Sequence, residues 1–141
     1  MSLPMATTYQ RAAGRYADDS VATASPARLL VLLYDRLVLD LARGEHAQRA
    51  GDRSLAASSL GHAQEILAEL LSSLDQGAWD GGPRLAAVYT WLLKEVSGAV
   101  VSGDAERTAE CRRCVEPLRD AWSTAATETT ASQPVLTGAT A

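Results

Sequence analysis

The sequence lacks the features that mark membrane, secreted and nucleic-acid-binding proteins. Its longest wholly apolar run is 29–34, far below the ~20 residues that a membrane span needs. It has only two cysteines, too few for a disulfide scaffold, and no charged-then-apolar leader opens the chain. The formal net charge of −4 gives no basic excess for nucleic acid or an anionic membrane surface. We therefore expect a cytoplasmic protein with no nucleic-acid partner and no membrane insertion.

The residues that are present favour helix. Phenylalanine is absent, and the hydrophobic fraction of 47% is largely alanine and leucine, the strongest apolar helix formers. Four helical patterns follow one another through short connections, which favours antiparallel neighbours. The sequence therefore predicts one all-α domain, an antiparallel up-down four-helix bundle over residues 25–126. A loose N-terminal arm, 1–24, and a disordered tail, 127–141, are expected to flank it.

Capping signals give the bounds of the first two predicted helices. Ser25 is a good N-cap, and Pro26 suits the first helical position, where its missing N–H costs nothing. This helix is expected to stop near residue 50, before Gly51. Asp52 is a credible N-cap for the second helix, whose leucines repeat with 3-4-3-4 spacing.

The second half of the sequence predicts two more helices. Three glycines and a proline place a loop at 76–83, and a third helix is expected over 84–101. Asp104 is the candidate N-cap of a fourth helix, expected over 105–126. Pro117 lies inside that helix and predicts a kink one turn earlier.

The first helix carries more apolar surface than a bundle helix requires. At 100° per residue its apolar positions cover an arc of roughly 200°, against the ~100° that a core-facing helix usually needs. Leu32 and Leu39 form a further small patch between Arg28 and Arg36. Two interpretations stay open, since the helix is either the most buried one of the bundle or the wall of a groove for a partner helix.

No set of residues assembles a familiar catalytic or metal site. Cys111 and Cys114 form a CxxC, but the pair falls inside a predicted helix with no strand before it, which favours a buried structural thiol. Neither His46 nor His62 has a glutamate three residues earlier, as di-iron bundles require. We therefore expect neither an enzyme nor a bound cofactor or metal.

Four blocks of sequence, in order, carry a family resemblance. They are ASP with LYD at 24–26 and 33–35, AQEILAEL at 63–70, the segment 85–104 with its aromatic Tyr89, and LRDAW at 118–122. Together they lie within about 16–125. This combination resembles the bacterial flagellin export chaperones, the FliS family.

The resemblance implies a chaperone dedicated to one client. Members of the family hold the C-terminal segment of flagellin in the cytosol, prevent its premature polymerisation and help deliver it to the flagellar type III export gate. The client is disordered when free and wraps the bundle partly as helix. The N-terminal segment of the chaperone can occupy part of the client's path. A chaperone of this kind is expected to be a monomer or a weak homodimer.

The wide apolar arc and its neighbours provide the predicted site. We expect the client-binding groove to comprise Leu30, Tyr34, Leu37, Val38, Leu41, Ile66, Leu67, Leu70, Tyr89 and Leu92. The candidates for the N-terminal cap are Tyr16, Val21 and Pro26. Plain core packing is the alternative for each leucine, and Trp122 is assigned to the core.

Three departures from the family pattern bear on client fit. The family often has an asparagine in the segment that reads RLAAV at 84–88 here. Arg36 stands where a glycine commonly follows Leu-Tyr-Asp, and Pro117 is unusual. The alternative function is a helical-bundle interaction module that dimerises through the same apolar surface and has no export client.

Overall fold

The computed structural model describes residues 25–132, with side chains described through residue 128. Within this range the chain forms helices and no strands. The helices are α1 (Pro26–Arg49), α2 (Arg53–Ser73), α3 (Gly82–Ser102) and α4 (Ala105–Ser132). The all-α prediction is therefore confirmed, and each helical pattern in the sequence corresponds to one helix.

The predicted N-caps begin their helices as expected. The Ser25 hydroxyl accepts a hydrogen bond from the backbone N–H of Arg28 at 3.2 Å. The Asp52 carboxylate accepts one from the backbone N–H of Leu55 at 3.0 Å. The Asp104 carboxylate accepts one from the backbone N–H two residues later, also at 3.0 Å. Each bond satisfies an N–H that has no partner inside its helix.

Glycines set the turns between the helices. Gly51 and Gly103 have φ values of 77° and 73°, a left-handed conformation that favours glycine and permits a tight reversal. α3 begins at Gly82, two residues before the predicted Arg84. A Cβ on Gly82 would lie 2.3 Å from the backbone oxygen of Gln76, so the loop folds closely against this helix start.

α4 is longer than the sequence pattern indicates. It continues past the predicted end at residue 126, so residues 127–132 belong to the helix and not to the expected tail. Pro117 lies inside α4 and donates no backbone hydrogen bond to Arg113. The predicted arm, 1–24, and the rest of the tail lie outside the described residues.

The helices form a ring in which α1 packs against α2 and α4, and α3 packs against the same two helices. α1 makes the more extensive contacts with both neighbours. Across the centre, the hydroxyl groups of Tyr34 on α1 and Tyr89 on α3 are hydrogen-bonded at 2.5 Å. This arrangement is the four-helix bundle expected from the short connections.

Two close contacts fix the register of α1. A Cβ on Gly44 would lie 2.4 Å from Cδ2 of Leu60, so only glycine permits this approach of α1 to α2. The Gln48 side chain donates to the backbone oxygen of Ala99 at 3.0 Å and accepts from the hydroxyl of Thr108 at 2.7 Å. Gln48 thereby joins α1 to both α3 and α4.

Candidate functional site

The residues predicted to line a client groove come together at the centre of the bundle. Nine of them are buried in one core cluster: Leu30, Tyr34, Leu37, Leu41, Ile66, Leu67, Leu70, Tyr89 and Leu92. Val38 is partly buried and packs against that cluster. Contact between these residues and a client stays a prediction.

Core packing accounts for the wide apolar arc of α1. α2 covers one flank of this helix, α4 covers the other, and Tyr34 extends across the centre to α3. A helix enclosed on three sides buries more than the ~100° stripe of a peripheral helix. The periodicity of the sequence gave the width of the apolar arc. It could not show whether the arc is covered by helices of the same chain or by a partner protein.

Ion pairs close the interface between α1 and α4, which we call the α1–α4 seam. Three cross-helix pairs lie along it: Arg112–Glu45 at 3.0 Å, Arg119–Asp35 at 3.5 Å and Arg49–Glu106 at 3.5 Å. Burial by itself would raise the pKa of Glu45, but hydrogen bonds from Arg112 and Arg49 outweigh it and lower that pKa. Separating these helices would break several charged contacts together.

α3 is attached to its neighbours by fewer polar contacts. Among the described residues, the ion pair across α3 and α4 joins Arg107 to Glu95 at 2.9 Å, and this hydrogen bond lowers the pKa of Glu95. The Gln64 side chain of α2 donates to the hydroxyl of Ser97 on α3 at 2.8 Å. Together with its less extensive packing, this makes α3 the least firmly enclosed helix.

Apolar side chains that are not fully buried lie on α3 and on the two helices beside it. We call this set the α3 margin: Val88, Trp91 and Leu93 on α3, Leu71 and Leu74 at the end of α2, and Leu118 and Trp122 on α4. Trp91 is 43% exposed, and the others are partly buried against the core. These side chains flank α3 on its α2 and α4 sides and are accessible without uncovering the core.

An aromatic cluster closes the bundle end at the α2–α3 loop. Trp79, in that loop, meets Trp122 edge to face with ring centroids 6.5 Å apart. Trp122 in turn lies 6.4 Å from the ring of Tyr34. The sequence assigned Trp122 to the core, and it is partly buried. Trp79 was missed because a tryptophan among glycines carries no periodic signal.

Asp40 is a buried carboxylate that the sequence showed only as an interruption of the apolar arc. It is 1% exposed, and Oδ1 accepts a hydrogen bond from Arg36 at 3.1 Å. Nδ1 of His62 on α2 lies 4.0 Å from the same oxygen, while Oδ2 is buried without a hydrogen-bond partner. Burial raises the pKa of Asp40, against the opposing effect of Arg36.

The CxxC thiols lie in an environment that keeps them protonated. Cys111 is buried, and its burial raises the thiol pKa to about 12. Cys114 is partly buried, and its pKa is also raised by burial. Redox-active cysteines have lowered pKa values. Within residues 25–132, no three histidine, cysteine or acidic side chains are grouped as metal ligands.

Two other features lie apart from the predicted groove. Pro26, a predicted cap residue, is exposed at the first position of α1, whereas Tyr16 and Val21 lie outside the described residues. A cavity of about 440 Å³ lies between the α1–α2 turn and the end of α3, next to Gly51 and Val101.

No helix within 25–132 combines the length and apolarity of a membrane span.

Comparison with known proteins gives the family to which the chain belongs. A family model described as flagellar protein FliS matches residues 8–129 of the chain. The chain belongs to the FliS family. The flagellar secretion chaperone FliS of Bacillus subtilis (strain 168) is 27% identical over 110 residues, which cover 78% of this chain and 82% of that protein. The resemblance noted in the sequence is thereby confirmed.

The structure also explains one departure from the FliS pattern. Arg36 stands where a glycine is common in the family, and its guanidinium is paired with the buried carboxylate of Asp40. A glycine at this position would leave Asp40 without that hydrogen bond. The arginine and the buried aspartate therefore act as a pair in this chain.

Proposed function

We propose that this FliS-family chain is a cytoplasmic export chaperone that holds the C-terminal segment of flagellin. In this role it prevents premature polymerisation and assists delivery of its client to the flagellar type III export gate. The observation that carries the proposal is the family match over residues 8–129, on a chain whose described residues form a helical bundle. The name of the Bacillus subtilis relative, a flagellar secretion chaperone, supports it.

We place the principal client contacts on the α3 margin. A disordered client that folds on binding gains free energy by burying apolar surface, and this gain offsets the cost of ordering it. The margin supplies such surface, with Trp91 as its most exposed member. The ion-paired α1–α4 seam is a poorer location, because a client there would have to replace charged contacts.

The predicted groove residues then have two kinds of role. Val38 lies on α1, apart from the α3 margin, and its partial burial leaves it accessible for a separate client contact. The nine buried members support the surface from beneath and hold α1, α2 and α3 in place. Substituting a buried member should therefore weaken client binding only together with the stability of the fold.

The direct test is calorimetric titration of the full chain with a peptide of the flagellin C-terminal segment. We expect saturable binding with a Kd of about 10 μM or tighter, equivalent to roughly 7 kcal/mol. Trp91→Ala should weaken this binding. Val101→Ala removes an 89% exposed side chain at the C-terminal end of α3 and should leave the binding unchanged. Failure of the unmodified chain to bind at this concentration would contradict the proposal.

A second variant separates client contact from stability. Val38→Glu should reduce client binding and leave the thermal unfolding midpoint nearly unchanged if Val38 contacts the client. Unfolding of this variant would assign Val38 to the core, and Trp91→Ala then carries the test. Sedimentation of the free chain addresses the alternative function. A tight dimer that does not bind the peptide would favour an interaction module over a chaperone.

A further inference from the structure

The outward face of α1 carries a feature that client binding does not use. Successive residues of a helix are 100° apart around its axis. The positions of α1 that lie within about 40° of Leu32 around this axis are occupied only by arginines, leucines and a histidine. We call them the basic stripe: Arg28, Leu32, Arg36, Leu39, Arg43 and His46. From Arg28 to His46 the stripe is ~27 Å long at 1.5 Å per residue. It contains no carboxylate, although the whole chain has a net charge of −4.

The carboxylates at the edges of the stripe already have partners. Asp40 is buried and paired with Arg36, and Asp35 accepts from Arg119 across the α1–α4 seam. Among the described residues, neither Arg28 nor Arg43 has a carboxylate within 4.0 Å. Both arginines are exposed, so the stripe keeps a local positive potential.

Two leucines give the stripe an apolar line between its arginines. Leu39 is 40% exposed, and Leu32, seven residues earlier on the same face, is partly buried. A seven-residue spacing returns to the same side of a helix, so the pair lies along the helix axis. This combination suits a partner helix that has apolar residues along one line and acidic residues beside it.

We propose that the basic stripe of α1 binds an acidic amphipathic helix of a second protein. Charge complementarity selects this occupant. A second copy of the chain would place arginines against arginines in a two-fold interface, which disfavours a homodimer here. An anionic membrane suits the stripe less well, because two incompletely exposed leucines provide little surface to insert and the net charge opposes adsorption.

The basic stripe and the α3 margin lie on helices that face each other across the bundle. α1 and α3 are separated by α2 and α4, and each packs against those two helices. A protein bound on the stripe would therefore leave the α3 margin open. The chain would then hold two partners at once, and the proposal for the stripe does not depend on the identity of the client.

The test uses a synthetic helical peptide of about 18 residues, long enough to match the ~27 Å stripe. It carries leucines seven residues apart with glutamates beside them, and a control peptide carries lysines instead. Fluorescence anisotropy with the full chain should show that the glutamate peptide binds at least roughly tenfold more tightly. High salt should weaken this binding, as expected for exposed charges.

Matched variants assign the binding to the stripe. Arg43→Glu and Leu39→Ala should each weaken the binding of the glutamate peptide by roughly fivefold or more. Arg84→Glu and Leu55→Ala are the controls, since they alter an exposed arginine on α3 and a 46% exposed leucine on α2. All four substitutions are at exposed positions, and circular dichroism should show an unchanged helix content.

Three results would overturn the proposal. The first is equal weakening by Arg84→Glu, which would indicate non-specific attraction. The second is displacement of the glutamate peptide by the flagellin peptide, which would place both on one surface. The third is Arg43-dependent binding to vesicles of equal parts phosphatidylcholine and phosphatidylserine without binding of the glutamate peptide, which would assign the stripe to a membrane.

Discussion

Gly44 allows a decisive test of how α1 and α2 pack. The sequence predicts that a glycine inside a helix costs up to ~1 kcal/mol relative to alanine, so Gly44→Ala should stabilise the chain if propensity alone decides. In the structure the added Cβ would lie 2.4 Å from Cδ2 and 2.7 Å from Cγ of Leu60. Carbon atoms in good contact are 3.5–4.0 Å apart, so the neighbours would have to move by about 1 Å.

The contact geometry determines which effect is larger. Leu60 is fully buried, and the clash involves its Cγ as well as a terminal methyl, so rotation about χ2 does not relieve it. Overpacking of this kind costs about 1–3 kcal/mol. Subtracting a helix gain of ~1 kcal/mol leaves a net loss of roughly 0–2 kcal/mol for Gly44→Ala.

Gly61→Ala is the matched control within the neighbouring helix. A Cβ on Gly61 meets no atom within 4 Å, so this variant should gain up to ~1 kcal/mol. The two glycine-to-alanine changes should therefore differ by roughly 1–3 kcal/mol in the free energy of unfolding. Combining Gly44→Ala with Leu60→Ala removes the obstructing side chain, and on that background Gly44→Ala should become stabilising.

Urea unfolding followed by circular dichroism measures these differences. With a slope of about 1.5 kcal/mol per molar urea, the midpoints of the two glycine variants should differ by roughly 1–2 M. The reasoning fails if Gly44→Ala is as stable as Gly61→Ala. It also fails if Gly44→Ala changes the free energy of unfolding equally in the presence and in the absence of the Leu60 side chain. The proposed cause of the loss is the contact of the added methyl group with Leu60.

The ionisable and thiol groups give three further predictions. Burial raises the pKa of Asp40, so the native state keeps this proton more tightly and loses stability as pH rises above about 3.8. Asp40→Asn should therefore raise the urea midpoint at neutral pH and flatten its pH dependence, whereas Asp80→Asn, at an exposed position, should leave the midpoint at neutral pH unchanged. Glu45→Gln should instead lower the urea midpoint at neutral pH, because the pKa of Glu45 is lowered in the folded chain. The stabilisation from this carboxylate is present above about pH 4.5 and is lost as the pH falls. The Cys111 thiol, with its pKa of about 12, should react with a disulfide reagent at pH 8 only at the rate of unfolding, and fast labelling of the native chain would contradict its burial.

Local signals in the sequence were sufficient for most of the fold. Ser25, Asp52 and Asp104 predicted helix starts because short polar side chains bond backbone N–H groups near them in the chain. Gly51 predicted the end of the first helix because left-handed residues, which often terminate helices, are usually glycine. These features depend on neighbours a few residues away, which the sequence displays directly.

Features that depend on distant parts of the chain were less accessible. The sequence could not show which apolar residues of α1 belong to the core and which to a groove. The residues that cover them are on α2 and α4, far away along the chain. The end of α4 was placed six residues too early, because threonine and alanine are compatible with both a frayed helix and a tail. Trp79 contacts Trp122 on α4, and Asp40, although paired with Arg36 on its own helix, lies next to His62 on α2. Neither the contact of Trp79 nor the burial of Asp40 has a local pattern.

The pairing of the first helix with the last has a consequence for biosynthesis. α2 follows α1 directly along the chain, but Val115, at the middle of α4, is translated 78 residues after Leu37. At ~5–20 residues per second this interval is roughly 4 to 16 s. During that time the nascent chain leaves the α4-facing flank of α1 uncovered. A chain proposed to shield another protein from early assembly therefore passes through a stage on the ribosome when it needs shielding itself.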